Sequence, residues 1–190
     1  MTRVSPTAKA EVRSALRARR RTIAADRDLA VDDEALAEHG LAAVVERGLG
    51  PGSTVTLYES RAVEPRTTAL TAALQGHGIR VLWPITLPDL DLDWQDAADP
   101  DRTPLGKDAI ALADLAFIPG LAVDPTGTRL GQGGGCYDKA LPRGRAGVDV
   151  VCLLHPGEYG EPPLPRETHD RPVGWVLTAD AVCRVAGFRG

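Results

Sequence analysis

Leu115-Ala116-Phe117-Ile118-Pro119-Gly120-Leu121-Ala122-Val123-Asp124-Pro125-Thr126-Gly127-Thr128-Arg129-Leu130-Gly131-Gln132-Gly133-Gly134-Gly135-Cys136-Tyr137-Asp138-Lys139 decides how this chain folds and where its chemistry lies. The apolar run Leu115 to Ile118 predicts a strand that stops at Pro119, and the glycine run leads into a short helix that ends by Pro142. Gly131, Gly133, Gly134 and Gly135 carry no Cβ and are free to take positive φ, so successive backbone N–H groups can converge on an anion. Arg129 can add a fixed charge to that cradle, and Asp138 a carboxylate for a divalent cation.

Spacing separates this loop from better-known phosphate loops. A Walker A loop needs Gly-Lys followed by Ser or Thr, whereas Gly135 here leads into Cys136 and Tyr137. A dinucleotide fingerprint matches Gly131 and Gly133, but its third glycine falls on Cys136 and the strand ends well before the glycines. A plain flexible turn remains open as a reading, although a turn requires none of Arg129, Tyr137 and Asp138.

Outward from the loop, helical and strand patterns alternate. Residues 8–24 lack Gly and Pro and predict a helix with Val12, Leu16 and Ile23 roughly on one face. Asp32, Asp33 and Glu34 suit the start of a second helix, which the Gly48–Gly52 stretch stops. Strands are expected over 54–58 and 80–83, the latter ended by Pro84, with a helix over 67–75 between them. Residues 87–108 are rich in Asp and Pro without a clear period and read as surface loop; 148–154 and 175–177 read as further strands. This alternation predicts an α/β layered fold in a single domain over residues 1–190, with ligands at the carboxyl ends of the strands.

At 190 residues, 43% of them apolar and 25% charged, the chain has the composition of an ordinary globular protein with one substantial core. A net charge of -4 gives no general attraction to nucleic acid. Arg17, Arg19, Arg20 and Arg21 form a basic cluster, which fits either a solvated helix face or a rim that attracts an anionic substrate. Cys136, Cys152 and Cys183 make neither a disulfide framework nor a metal knuckle, so a reducing cytoplasm is the expected setting. The most apolar stretch, Leu112 to Val123, is broken by Asp114 and Pro119, and no membrane span or signal peptide is expected.

The loop resembles the signature of the 5-formyltetrahydrofolate cyclo-ligases, also called 5,10-methenyltetrahydrofolate synthetases. That signature runs from an Asp through Gly-x-Arg-Leu-Gly-x-Gly-(Gly/Lys)-Gly-Tyr-Tyr-Asp, and Gly127 to Asp138 departs from it only at Cys136. The resemblance extends to Lys9-x-x-x-Arg13, Glu64-x-x-Thr67 and His169-Asp170. It implies a three-layer α/β/α sandwich around a mostly parallel, mixed sheet, acting as a monomer. It implies nucleotide contacts from Lys9, Arg13, Arg129, Leu130, Gly131, Gln132, Gly133, Gly134, Gly135, Cys136 and Tyr137, with Arg129 catalytic. Glu59, Glu64, Gln132 and Cys136 are implied for the folate, and Asp138 for Mg2+.

The implied reaction is the ATP-dependent closure of 5-formyltetrahydrofolate to 5,10-methenyltetrahydrofolate through a phosphorylated formyl group. Three departures keep a binding protein with weakened turnover open as the alternative, and a phosphosugar enzyme as a third reading. Cys136 replaces a Tyr, the segment between Trp94 and Asp99 is short, and Gly174 stands where relatives place a second magnesium aspartate.

Overall fold

A computed structural model of the chain describes residues 6–160, 162–167 and 170–188. Helix α1 (Pro6–Asp26) opens on a proline, whose fixed φ suits a first turn and whose missing N–H is not needed there. Helix α2 (Leu29–Glu46) is capped by Asp28, whose carboxylate accepts the Ala30 and Val31 N–H groups at 3.0 and 3.3 Å. Then follow β1 (Thr54–Thr56), α3 (Thr68–Gly76), β2 (Arg80–Thr86), β3 (Leu92–Asp96) and β4 (Leu115–Pro119). The short pair β5 (Ala122–Val123) and β6 (Arg129–Leu130) precedes α4 (Cys136–Ala140), β7 (Asp149–Leu153), β8 (Trp175–Leu177) and β9 (Val182–Arg184).

Seven strands form one sheet in the order β3-β2-β1-β4-β7-β8-β9. The inner strands β2, β1, β4, β7 and β8 pair in parallel, and β3 and β9 close the two edges antiparallel. Parallel strands covered on both faces need apolar side chains at every position, which is why Leu115 to Ile118 is an unbroken run rather than an alternation. Leu115 and Phe117 point to one side, where Leu36 and Val44 of α2 and Leu70 and Leu74 of α3 complete the core. Ala116 and Ile118 point to the other, against Trp94, Ile110 and Tyr137. Gly40 lets α2 approach α3 closely, since a Cβ there would lie 2.8 Å from Leu70 Cδ1.

Three expectations need correction. Strand β2 runs through Pro84 to Thr86, with Pro84 opposite Trp94 of β3. The Ala97 N–H bonds Val81 O and the Leu57 N–H bonds Leu82 O, so even-numbered residues of β2 turn their polar groups toward β1. The missing donor of Pro84 therefore ends the ladder to β1 after the Leu57 N–H bond, and it costs nothing in the pairing with β3, which uses the odd-numbered residues. Second, the supposed loop 87–108 contains β3; Asp91 just before it and Asp93 within it each bond the next residue's N–H through the side chain. Third, β9 and the β5–β6 pair are too short to show a period in the sequence.

Helix α1 lies at the carboxyl ends of the strands rather than in either layer. Its Leu16 packs with Leu121, Ala122 and Leu130 of the β5–β6 pair. One turn on, Arg20 is 1% exposed and forks onto Glu158, itself 2% exposed, with Nε–Oε1 at 2.8 Å and NH2–Oε2 at 2.6 Å. The same NH2 donates to Gly120 O just beyond β4, and Glu158 Oε2 also accepts the His155 N–H. Burial opposes the charge on Arg20, but the Glu158 carboxylate outweighs it and raises the guanidinium pKa further. Removing one member of such a pair leaves a buried charge uncompensated. Glu158→Leu is therefore expected to lower the unfolding free energy by about 3–5 kcal/mol in urea denaturation, with most of it restored in Arg20→Met/Glu158→Leu. A single-variant loss below about 1 kcal/mol, the scale of a surface pair, would show that the contact does not seat α1.

Candidate active site

The carboxyl ends of β1 and β4 border the point where the chain reverses its direction of winding, since β2 lies on one side of β1 and β4 on the other. Crevices form at such points. Here a cavity of about 560 Å³ opens, lined from β1 by Tyr58, Glu59, Arg61 and Glu64, from β4 by Pro119 and Gly120, and from across by α1 and the glycine loop.

The glycine loop owes its shape to an anchor on each flank. Upstream, Asp124 Oδ1 accepts the Thr126 N–H, the Thr126 hydroxyl and the Thr128 N–H, and Oδ2 accepts the Leu164 N–H. Burial pushes this carboxyl up, but those donors win and hold it below the usual carboxylate range. Downstream, Gly135 is left-handed at φ 66 and ψ 12 and starts α4. Of Gly131, Gly133 and Gly134, only Gly133 takes positive φ, at 109. Gly131 serves for room instead, because a Cβ there would lie 2.9 Å from an Arg129 nitrogen.

Arg129 is the side chain this room accommodates. It donates to Pro119 O at 3.3 Å and to Asp138 Oδ1 at 3.0 Å, with its side chain only 5% exposed. Its Nε is buried without a hydrogen-bond partner among the described residues, as is the hydroxyl of the adjacent Tyr137. Burial raises the Tyr137 pKa, so the phenol stays neutral and keeps its proton to donate. Orphaned buried donors on a cavity wall are costly unless a ligand completes them.

Lys9 and Arg13 reach the same cavity from one face of α1. Lys9 is 5% exposed and meets Asp170 Oδ2 at 2.7 Å and Glu167 Oε2 at 3.0 Å, while Arg13 Nε donates to Gly131 O at 3.1 Å. Of the basic cluster behind them only Arg20 is buried; Arg19 and Arg21 are exposed and Arg17 half-buried, with Arg17 bonding Gln132 and Arg19 bonding Gly157 O. Glu64, which lines the same cavity, is 7% exposed and accepts the Arg61 N–H at 3.0 Å. Beside it, burial and the Glu64 charge push the Tyr58 phenol well above its usual pKa. Glu59 is more exposed and forks onto Arg102 at 2.7 and 3.0 Å.

Every site residue singled out in the sequence lines this one cavity: Lys9, Arg13, Glu59, Glu64, Arg129, Leu130, Gly131 through Gly135, Cys136, Tyr137 and Asp138. Glu64 and the glycine loop, far apart in the chain, line the same cavity. Sequence reasoning missed Tyr58, Arg61, Thr86, Leu90 and Glu167; the carboxyl ends of the predicted strands were the available signal for the first two. His169 lies outside the described residues. Gly174 does not line the cavity but is buried beneath the Phe188 ring, 3.1 Å from where a Cβ would stand.

The sequence profile of the 5-formyltetrahydrofolate cyclo-ligase family matches residues 5–179. A 5-formyltetrahydrofolate cyclo-ligase of Mycolicibacterium smegmatis is 31% identical, over 92% of this chain and 95% of its own length. Among solved structures, a 5,10-methenyltetrahydrofolate synthetase from Mycoplasma pneumoniae superposes with a TM-score of 0.72 at 17% identity, covering 90% of this chain and 98% of its own. The synthetase of Aquifex aeolicus gives 0.69 at 21%, over 96% and 95%. The two structures establish the likeness of fold, and the profile and the curated relative establish kinship: the chain belongs to the 5-formyltetrahydrofolate cyclo-ligase family.

Proposed function

We propose that the cyclo-ligase reaction of this chain, the ATP-dependent closure of 5-formyltetrahydrofolate to 5,10-methenyltetrahydrofolate, runs in the cavity between β1 and β4. One observation supports the placement: a glycine loop with Lys9, Arg13 and Arg129 lines a single cavity together with Glu64. The loop and its cations suit a polyphosphate and Glu64 the hydrogen-bonding edge of a pterin. All of these groups come from one chain, which supports a single domain acting as a monomer. No helix among the described residues is long and apolar enough to cross a membrane, and three free cysteines suit a reducing cytoplasm.

A formyl amide resists attack because nitrogen donates into its carbonyl and oxide is a poor leaving group. In the proposed route the formyl oxygen attacks the γ-phosphorus of ATP, the bond to the bridging oxygen breaks, and ADP departs. N10 then attacks the activated carbon, the formyl oxygen leaves as part of phosphate, and N10 gives up its proton. The protein's task is alignment and charge compensation. Arg129 and the loop amides meet the phosphoryl oxygens, and the orphaned Arg129 Nε and Tyr137 hydroxyl gain acceptors. Lys9 exchanges the carboxylates of Glu167 and Asp170 for phosphate.

The donor set also fits magnesium carried in by the nucleotide. Asp138 lines the cavity with one oxygen held by Arg129 and the Arg171 N–H, and its Oδ2 has no hydrogen-bond partner among the described residues. No group of three or more His, Cys, Asp or Glu side chains among those residues could hold a metal by itself. An ion completed by phosphate oxygens and water is the ordinary magnesium arrangement. Asp138 would hold it, and bound magnesium would draw charge from the transferring phosphoryl group. Gly174 is no part of this site.

Arg129→Ala is expected to lower kcat more than tenfold, since about 1.5–3 kcal/mol attaches to a charge-assisted contact. The near-ultraviolet absorbance of the methenyl product follows it, and unchanged ATP kinetics would remove Arg129 from the site. Calorimetry tests the folate wall: Glu64→Gln should weaken folate binding and leave ATP binding largely intact. Equal losses for both ligands would overturn that division. For the metal, Asp138→Asn should nearly abolish turnover in a magnesium titration at saturating ATP. Gly174→Asp should lower the melting temperature without lowering the magnesium needed for half-maximal rate, because its carboxylate would be buried against Phe188. Substantial activity in Asp138→Asn would refute the metal assignment.

A further inference from the structure

Arg17 follows Arg13 by one helical turn on α1, and it reaches the glycine loop at two atoms of one residue. Its Nε donates to the Gln132 side-chain oxygen at 2.9 Å, and its NH2 donates to the Gln132 backbone oxygen at 2.7 Å. A guanidinium has only donors, so the amide atom it meets must be the oxygen. The amide nitrogen, with its two N–H donors, is therefore the end left for another partner, and Gln132 lines the cavity.

Nothing within the loop could hold Gln132 in this way. It stands between Gly131 and Gly133, the latter at φ 109, and neither neighbour has a side chain to restrict it. A long, exposed side chain in such surroundings would sample many rotamers and both faces of its amide. The rigid, planar fork of Arg17 is anchored in a helix that Arg20 seats in the body of the protein, so the restraint comes from outside the loop.

We propose that Arg17 is a positioning residue, which clamps the backbone and the amide oxygen of Gln132 so that the amide N–H donors are held ready for a phosphoryl oxygen of ATP. The clamp rests on the placement of the nucleotide phosphates at the glycine loop given above. Donors fixed before the reaction need no reorganisation as charge moves onto the transferring group. The contribution of Arg17 is thus geometry. Its positive charge is shared with Lys9, Arg13 and Arg129, and a different cation at the same position does not reproduce it.

Steady-state kinetics at saturating folate test this with Arg17→Ala, Arg17→Lys, Gln132→Ala and the double variant Arg17→Ala/Gln132→Ala. Arg17→Ala should lower kcat/KM for ATP about tenfold, while the melting temperature shifts by less than about 3 °C. Arg17→Lys keeps the charge without the fork and should stay within about threefold of the alanine variant. Adding Gln132→Ala to Arg17→Ala should cost less than about twofold more, because the two residues act as a unit. A lysine variant equal to wild type would overturn the clamp in favour of simple charge, and additive losses would overturn the coupling. A lowered melting temperature with unchanged kcat/KM would reduce Arg17 to a structural role. If Gln132→Ala is impaired while Arg17→Ala is not, the clamp alone fails. If Gln132→Ala itself matches wild type, the placement of phosphate beside Gln132 fails and the clamp with it.

Discussion

The buried pair between Arg20 and Glu158 is the contact on which the rest of the site depends. The carboxyl ends of parallel strands form an open crevice, and no strand end can close it from above. Helix α1 supplies that cover, but among the described residues Leu16 and Val12 alone join the apolar cluster around the β5–β6 pair. So small a patch does not define where a 21-residue helix sits. Arg20 does, because its guanidinium binds Gly120 O beyond β4 and Glu158 beyond β7, tying one helix to the ends of two adjacent strands. A pair desolvated to this degree adds little net stability over an apolar replacement, but it tolerates only one geometry.

With the helix so placed, its other cations fall into graded positions along the cavity. Arg17 and Arg13 meet the glycine loop at Gln132 and Gly131, and Lys9 reaches farther, to Glu167 and Asp170. The loop needs such support. Its glycines give backbone N–H groups a close approach to an anion, and the same lack of side chains leaves it without stiffness of its own. Asp124 and α4 hold its ends, and the arginines of α1 hold its middle.

Electrostatic balance explains how these cations remain desolvated without ligand. Arg129 is set against Asp138, and Lys9 against two carboxylates, at distances of 2.7 to 3.0 Å. A nucleotide brings its own negative charge, so in the proposed placement its binding would be an exchange of partners rather than the neutralisation of bare charge. What the resting pairs do not satisfy are the Arg129 Nε and the Tyr137 hydroxyl, both buried on residues that line the cavity.

The sequence by itself determined the α/β class, the strand at Leu115, the glycine loop and the family's characteristic residues, because each is local: a run of apolar side chains, glycines between Arg129 and Asp138, a four-residue spacing of Lys9 and Arg13. Pattern failed where pairing decides. Strand β3 lies in a stretch crowded with aspartates, and its backbone is fixed by β2 rather than by its own composition. Pro84 reads as a stop, and it does stop the ladder to β1, yet it sits in a strand because its nitrogen faces away from β3, whose pairing runs on to Thr86. The arginines of α1 look alike in the sequence, and only the tertiary structure gave Arg20 a buried carboxylate, Arg17 a glutamine and Arg13 a carbonyl. Their partners lie more than 100 residues away, a separation that no local periodicity encodes. The same holds for Gly174: its place in the motif suggests a lost metal ligand, and the fold turns that position away from the cavity, under Phe188.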